Sequence, residues 1–353
     1  MNNQQLSLEL KGLLHKGIVI PAHPLALNIE RQIDEKSQRQ LTRYYIASGA
    51  GGIAIGVHST QFEIRDSEIN LYETVLKLAS EEITNANLCR PFLKVAGICG
   101  PTIQASKEAN MAIKYGYDMG LLSMGGLQSW SEVEILERVK VIAAIIPVFG
   151  FYLQPSVGGR IFSYDFWLKF AEIENVEAIK VACFNRYQTL DVMRAVANSS
   201  RNDLIAMYTG NDDNIIADLL TTFRFTVNGR VIQKIFSGGL LGHWAVWTKK
   251  AVDLLSEIKE YHQSKNVEKA ADLLSIGGSV TDANAAFFDP SHNFHGCISG
   301  IHEVLRRQGL LQGRWCLNPN EDLSVGQLEE INRVYTEYPH LNDDDFVREF
   351  LKE

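Results

Sequence analysis

Apolar runs rich in Val, Ile and Phe recur along the chain, with amphipathic stretches between them. Eight read as strands: GIVI (17–20), GIAIGV (52–57), FLKVAGI (92–98), YDMGLLSM (117–124), PVFGFYL (147–153), VEAIKVA (176–182), LIAMYTG (204–210) and VIQKIFSGG (231–239). Most lack polar alternation, so both faces must be buried, as in parallel strands covered by helices. The intervening stretches have helical spacing. Asp34 to Ser48 puts Leu41, Tyr44 and Tyr45 on one face, and Ser67 to Glu82 turns Ile69, Val75, Leu76 and Ala79 inward. Eight strand–helix units predict an α/β fold, a closed (β/α)8 TIM barrel, rather than an open doubly wound sheet. No GxGxxG follows the first strand, which the dinucleotide-binding alternative would need.

The pattern breaks near the eighth strand. In TTFRFTVNGRVIQKIF, Asn228-Gly229 lies between two β-prone runs, which predicts an inserted hairpin near 224–235. Beyond residue 262 only helical spacing remains, in Val267 to Leu274, Ile298 to Gln308 and Ser324 to Tyr338. The expected organisation is a barrel over 1–262 and a C-terminal helical region over 263–353.

Charge and cysteine usage narrow the partners. Lys plus Arg number 34 against 42 Asp plus Glu, a net charge of −8, the wrong sign for binding a phosphate backbone, so nucleic acid is not an expected partner. The five cysteines contain no CxxC pair and no metal-ligand spacing, so reduced thiols and no metal are expected. The longest nearly uncharged run, Val141 to Gln154, is broken by Pro147 and is too short to span a bilayer. MNNQQLSLELKGLLHKG has no basic region leading into an apolar core. No membrane partner and a cytoplasmic location are therefore expected.

Strand ends carry the chemistry in such a barrel. Lys180 in EAIKVACFN is a lone cation in an apolar strand. Burying an ammonium without a partner is costly, so it either finds a carboxylate at the barrel mouth or loses its proton. A desolvated lysine with a lowered pKa is the nucleophile that forms Schiff bases with carbonyl substrates. Tyr152, at the end of the fifth strand, is either a core tyrosine or a phenol able to shuttle protons beside such a lysine.

The 28-residue interval from Tyr152 to Lys180 resembles that of the dihydrodipicolinate synthase and N-acetylneuraminate lyase superfamily of class I aldolases. Further stretches agree in order: IPAHPLALNIERQIDEKSQRQLTRYYIASG, SGAGGIAIGVHSTQF, YTGNDD and GCISGIHEVLRRQGLLQGRWCLNPNEDLSVGQLEEI. The resemblance implies that Lys180 forms an imine with pyruvate or another 2-oxo acid, with no cofactor, and that Tyr152 and Ser59 move protons. It also sets His58, Thr60 and Gly238 against the substrate. An ungapped match of Gly49 to Phe62 puts His58 and Ser59 in the two hydroxyl positions, and a one-residue shift puts Ser59 and Thr60 there. It further implies a homodimer or homotetramer, with the apolar loop Ser123 to Trp130, carrying Met124, Leu127 and Trp130, buried between subunits.

Departures from the family pattern limit the chemistry. Val157 stands where the synthase branch has an arginine for its amino-aldehyde acceptor, SMGGLQS lacks that branch's aromatic relay, Gln61 replaces a glutamate, and Val181 an acid. Arg160 and Arg186 are candidate replacements for the missing cation. His292 and His295, in DPSHNFHGC, lack a third ligand and read as a loop pair. The expected activity is an aldolase or dehydratase; the alternative is a catalytically weak barrel that binds a metabolite or serves assembly. A buried carboxylate facing the methyl groups of Val157 would be heavily penalised. A purified-protein assay should therefore detect no efficient condensation of pyruvate with aspartate semialdehyde.

Overall fold

The computed structural model describes residues 4–352. Its elements run α1 (Leu8–Lys16), β1 (Val19–Pro21), α2 (Glu35–Ala47), β2 (Gly52–Ile55), α3 (Tyr72–Asn85), β3 (Leu93–Ile98), α4 (Thr102–Lys114), β4 (Met119–Leu122), α5 (Glu132–Ala143), β5 (Val148–Leu153), α6 (Tyr164–Ala171) and β6 (Val176–Ala182). They continue with α7 (Arg186–Asn198), β7 (Ala206–Thr209), α8 (Ile215–Leu220), β8 (Phe223–Val227), β9 (Arg230–Lys234), β10 (Gly238–Leu241), α9 (Thr248–Ser264), α10 (Val267–Phe288), α11 (Cys297–Arg307), α12 (Gln327–Glu337) and α13 (Asp344–Phe350). Eight strands form one sheet in the order β1-β10-β7-β6-β5-β4-β3-β2, and a parallel bridge between Ala22 and Ala54 joins its first and last members. This is the (β/α)8 barrel with C-terminal helices that the apolar runs predict. Every residue of β5 and β6 is buried, including Glu177 and Lys180, the two charged residues of β6.

Helix starts follow the local chemistry. Asp34 caps α2 by accepting from Ser37 N at 3.1 Å, and Asn185 caps α7 by accepting from Tyr187 N and Gln188 N. Ser131 and Glu134 make a reciprocal capping box on α5. The helix expected from Ser67 begins only at Tyr72. A short 3₁₀ segment over Phe62–Arg65 ends at Asp66, and Asn70, at φ 45°, closes the next turn onto Asp66 O. The helix expected over Val267 to Leu274 continues to Phe288.

The eighth strand is a correction. Residues 231–239 are not one strand: Arg230–Lys234 pairs antiparallel with Phe223–Val227, and the barrel strand is the later, glycine-led Gly238–Leu241. Asn228 and Gly229 both take positive φ, 50° and 76°, the geometry of a tight turn that matches strand twist. The hairpin is thus present, and the barrel strand follows it.

The chain divides into two compact units, Met1–Ile18 with Leu93–Gly239, and Val19–Phe92 with Leu240–Glu353. In the first unit, β3 to β7 and the start of β10 pair in parallel, and α1 is tied on by Tyr208 Oη donating to Leu14 O at 2.9 Å and by a Lys11–Glu177 ion pair. In the second, the C-terminal helices group with α2 because Asp343, next to α13, gathers several elements. Its carboxylate accepts from Tyr44 Oη at 2.7 Å, from Lys249 N at 3.0 Å and from Gln308 Nε2 at 2.7 Å. Among the described residues no helix is long and apolar enough to cross a membrane.

Gly238 shows why β10 begins with glycine. A Cβ there would lie 2.4 Å from Ile18 O and 2.9 Å from the Tyr208 ring. Gly238→Ala is expected to destabilise the protein by about 1–3 kcal/mol through overpacking, read as a lowered urea midpoint at unchanged slope.

Candidate functional site

In the first unit the site is built around Lys180 on β6. Its side chain is buried, 7% exposed, and its ammonium sits 4.4 Å from the centre of the Phe151 ring. Room for the lysine comes from β7: a Cβ on Gly210 would lie 2.4 Å from Lys180 Cε and 2.8 Å from Ala182 Cβ. Burial lowers the Lys180 pKa to about 8, against the opposing pull of the Asp212 carboxylate, which favours the charged form. The strand partner on the other side, Tyr208, commits its hydroxyl to Leu14 O.

The loops that follow β6 and β7 are organised by Asp218, at 1% exposure the most completely buried acid of this region. It accepts from Thr209 Oγ1 at 2.8 Å, Asn211 Nδ2 at 2.9 Å and Asn214 Nδ2 at 3.1 Å, and it pairs with Arg186. Asn211 Oδ1 in turn accepts from Phe184 N at 3.0 Å, so the two loops are fastened to each other. Asp212 lies in this fastened segment. Arg186 is therefore occupied by Asp218, and Arg160 donates to Leu127 O and, at 2.6 Å, to Trp130 O.

Tyr152 does not join Lys180, which corrects the expectation drawn from their spacing. Phe151 is the Cα partner of Lys180, and Tyr152 is the partner of Val181. Successive residues of a strand face opposite sides, so Phe151 shares the lysine's face and Tyr152 turns to the helices. Its ring lies 5.0 Å from Trp167 and 6.1 Å from Phe162, and its hydroxyl is 3.5 Å from Phe162 N. Burial pushes this phenol well above its ordinary pKa. The cause of the mismatch is a bulge: Val148 pairs with Val176, but Phe149 pairs with Ala178, so Glu177 is an extra residue on β6. Without it, the interval of 28 residues would set Tyr152 opposite Lys180.

In the second unit, Ser59 and Thr60 form part of a 3₁₀ turn after β2. Ser59 Oγ donates to Ala22 O at 2.8 Å and Thr60 Oγ1 donates to His23 O at 2.7 Å, tying the turn to the end of β1. Thr60 Oγ1 also accepts from Gly56 N and Val57 N, so its hydroxyl is fully used in shaping the turn. His58 is half-buried, its ring 6.0 Å from that of Phe62. Gln61, at φ 66°, accepts from Leu317 N at 2.6 Å.

His23 is the residue of this turn that sequence reasoning passed over, although a histidine beside a proline at the end of the first strand was its available signal. It is fully buried, with Nδ1 2.8 Å from Pro24 O and Nε2 2.9 Å from Thr42 Oγ1, and burial lowers its pKa to about 4. The ring is neutral at physiological pH and acts as a spacer for the chain that Thr60 grips.

In the loop after β4, Met124 and Leu127 are each only 2% exposed within the chain itself, whereas Trp130 is half-buried. His292 pairs with Asp289 at 2.6 Å, and among the described residues no group of three or more His, Cys, Asp or Glu side chains is gathered for a metal.

Solved structures share this architecture. Dihydrodipicolinate synthase from Oceanobacillus iheyensis superposes with a TM-score of 0.72 at 18% identity, covering 94% of this chain and 99% of that one. N-acetylneuraminate lyase from Fusobacterium nucleatum gives 0.69 at 16% identity, with coverages of 92% and 99%. YagE from Escherichia coli K12, a prophage protein of the dihydrodipicolinic acid synthase family in complex with pyruvate, gives 0.68 at 16%, with 91% and 97%. The fold is that of these proteins. No family model and no curated protein matches the sequence.

With the Tyr152 hydroxyl among the helices, Tyr152→Phe is expected to leave trapping of a Lys180 adduct within a factor of about two and to cost at most about 1 kcal/mol of stability. Mass spectrometry of the reduced adduct and urea denaturation check both. A rate loss of a hundredfold or more would restore the shuttle role.

Proposed function

We propose that the chain is a lyase of the class I aldolase type, acting on pyruvate or another 2-oxo acid through a Schiff base on Lys180. The observation that carries this reading is the lysine itself: a buried amine whose pKa is lowered to about 8, on the sixth strand of a barrel shared with proteins solved in complex with pyruvate. At pH 7 roughly a tenth of such amines are neutral, against roughly one in 2,500 for an ordinary lysine. The neutral nitrogen attacks C2 of the 2-oxo acid, forming a C–N bond while the carbonyl electrons move to oxygen. After proton transfer from nitrogen to that oxygen and its further protonation, water leaves and an iminium remains. Its positive charge draws electrons from C3, so a C3–H or C3–C4 bond can break toward an enamine.

Asp212 supplies the nearby carboxylate in this reading and offsets the charge on nitrogen. Ser59 is the hydroxyl that the family resemblance assigns to the proton relay, and His58 is assigned there to substrate binding. Thr60 and Gly238, assigned to the substrate by the same resemblance, have structural tasks sufficient to explain them: shaping the turn and admitting the Ile18 backbone. A second reading, a barrel that binds a 2-oxo acid without turning it over, is favoured by one observation. The ring next to Lys180 is Phe151, which has no hydroxyl to move a proton.

Incubation with pyruvate and borohydride, followed by peptide mass spectrometry, should label Lys180 and not Lys94. The initial labelling rate should rise with pH through a midpoint of about 8, because the neutral amine is the attacking species and its fraction grows as the proton leaves. Absence of a Lys180 adduct across the 2-oxo acids tested would overturn the proposal. Exchange of the pyruvate methyl protons in D2O separates the two readings: an adduct with exchange marks the lyase, and an adduct without exchange marks the binding barrel.

A further inference from the structure

Phe151 is the side chain nearest the lysine nitrogen to which neither spacing nor resemblance gives a task. Pairing of β5 with β6 sets it opposite Lys180 on the same face, and the ring is buried. The ring centre is 4.4 Å from Nζ, within the range in which an aromatic π face attracts a cation. Such attraction is strongest where water is excluded, which holds here on both sides of the contact.

We propose that the Phe151 ring is the charge-stabilising face of this site, holding the positive nitrogen first as the Lys180 ammonium and then as the iminium of the substrate adduct. The proposal rests on the reading of Lys180 as the imine-forming lysine. Its chemical content follows from where the charge goes. Amine and 2-oxo acid start with a neutral nitrogen; after water leaves, the nitrogen carries a positive charge shared with C2. A π face beside Nζ favours that state over the neutral carbinolamine before it. It also favours the ammonium over the free amine, in the same direction as the Asp212 carboxylate and against the effect of burial.

Among the described residues, the titratable groups on the neighbouring elements include Asp212 in the loop after β7; Asp213 beside it, facing Arg186 and Asp218; Cys183 just after β6, bonded to Thr189; Tyr208 on β7, bonded to Leu14 O; and Asp218 and Arg186, bonded to each other. Asp212 acts on the charge of Lys180, and the Phe151 ring lies against its nitrogen.

Trace acetylation at a series of pH values, quantified at Lys180 by mass spectrometry, reads the protonation midpoint of this amine without any substrate. Phe151→Met, which conserves volume, should lower the midpoint by about one pH unit, a tenfold loss of proton affinity, and Phe151→Trp should restore it. The borohydride-trapped yield at a fixed low pyruvate concentration should fall several-fold in the Met variant and recover in the Trp variant. Phe151→Leu serves in its place if the Met variant does not accumulate. A midpoint unchanged or raised in the Met or Leu variant, with circular dichroism intact, overturns the proposal. A midpoint that shifts as expected while no variant and no parent protein forms an adduct leaves the ring's hold on the ammonium standing and removes the imine reading.

Discussion

Lys180 carries a positive charge into a strand that offers carbon on both faces, and an unpartnered ion in such a place costs several kcal/mol even after the surroundings relax. The residues next to it can be read as answers to that one constraint. Gly210 gives up its side chain so that the lysine's methylenes can pass, and the Phe151 face and the Asp212 carboxylate meet the charge at the far end. The compensation is incomplete, which is why the pKa stays below the ordinary lysine range. Between pH 8 and the usual lysine value the unfolded chain holds a proton that the folded chain has released, so this group makes folding more favourable as pH rises through that window.

Asp212 can serve only if its loop keeps its shape, and here a second buried charge does the holding. Asp218 receives Thr209, Asn211, Asn214 and Arg186, drawn from β7, its following loop and the first residue of α7. Removing one partner from such a buried carboxylate is expensive, whereas the complete set is rigid. The turn carrying Ser59 and Thr60 is fixed in a different currency, by neutral hydroxyls donating to the backbone of Ala22 and His23, with a neutral histidine beneath it. One loop set is therefore held by charge and the other by dipoles.

Much of the architecture was legible in the residues. Unbroken apolar runs located seven of the eight barrel strands because burial on both faces leaves no room for polar alternation. Asn228-Gly229 located the hairpin because both residues accept positive φ at little cost. The eighth strand was misplaced for a related reason: Val231, Ile232 and Ile235 look like core, yet the barrel strand is GGLL, where backbone approach to Ile18 excludes side chains and leaves little hydrophobic signal. Lys180 stood out as a lone cation. Phe151 did not, because a phenylalanine in an apolar strand looks the same whether it packs a core or faces an amine. Asp218, four residues into a short helix, gave no sign of being a hub, since its donors come together only in three dimensions.

The placement of Tyr152 shows a limit of counting along the chain. Interval fixes the level two residues reach on neighbouring strands, but the face each presents depends on parity, and one inserted residue reverses it. Glu177 is that residue. Its carboxylate pairs with Lys11 on α1 at 2.7 Å, which ties the bulge to that helix. In this register the β5 residue opposite the amine is Phe151, an aromatic ring without a hydroxyl. The distinction matters chemically. A phenol can pass a proton, while a phenyl ring can only stabilise a charge, so the imine chemistry proposed for Lys180 has to draw its proton transfer from groups other than the one facing it on β5.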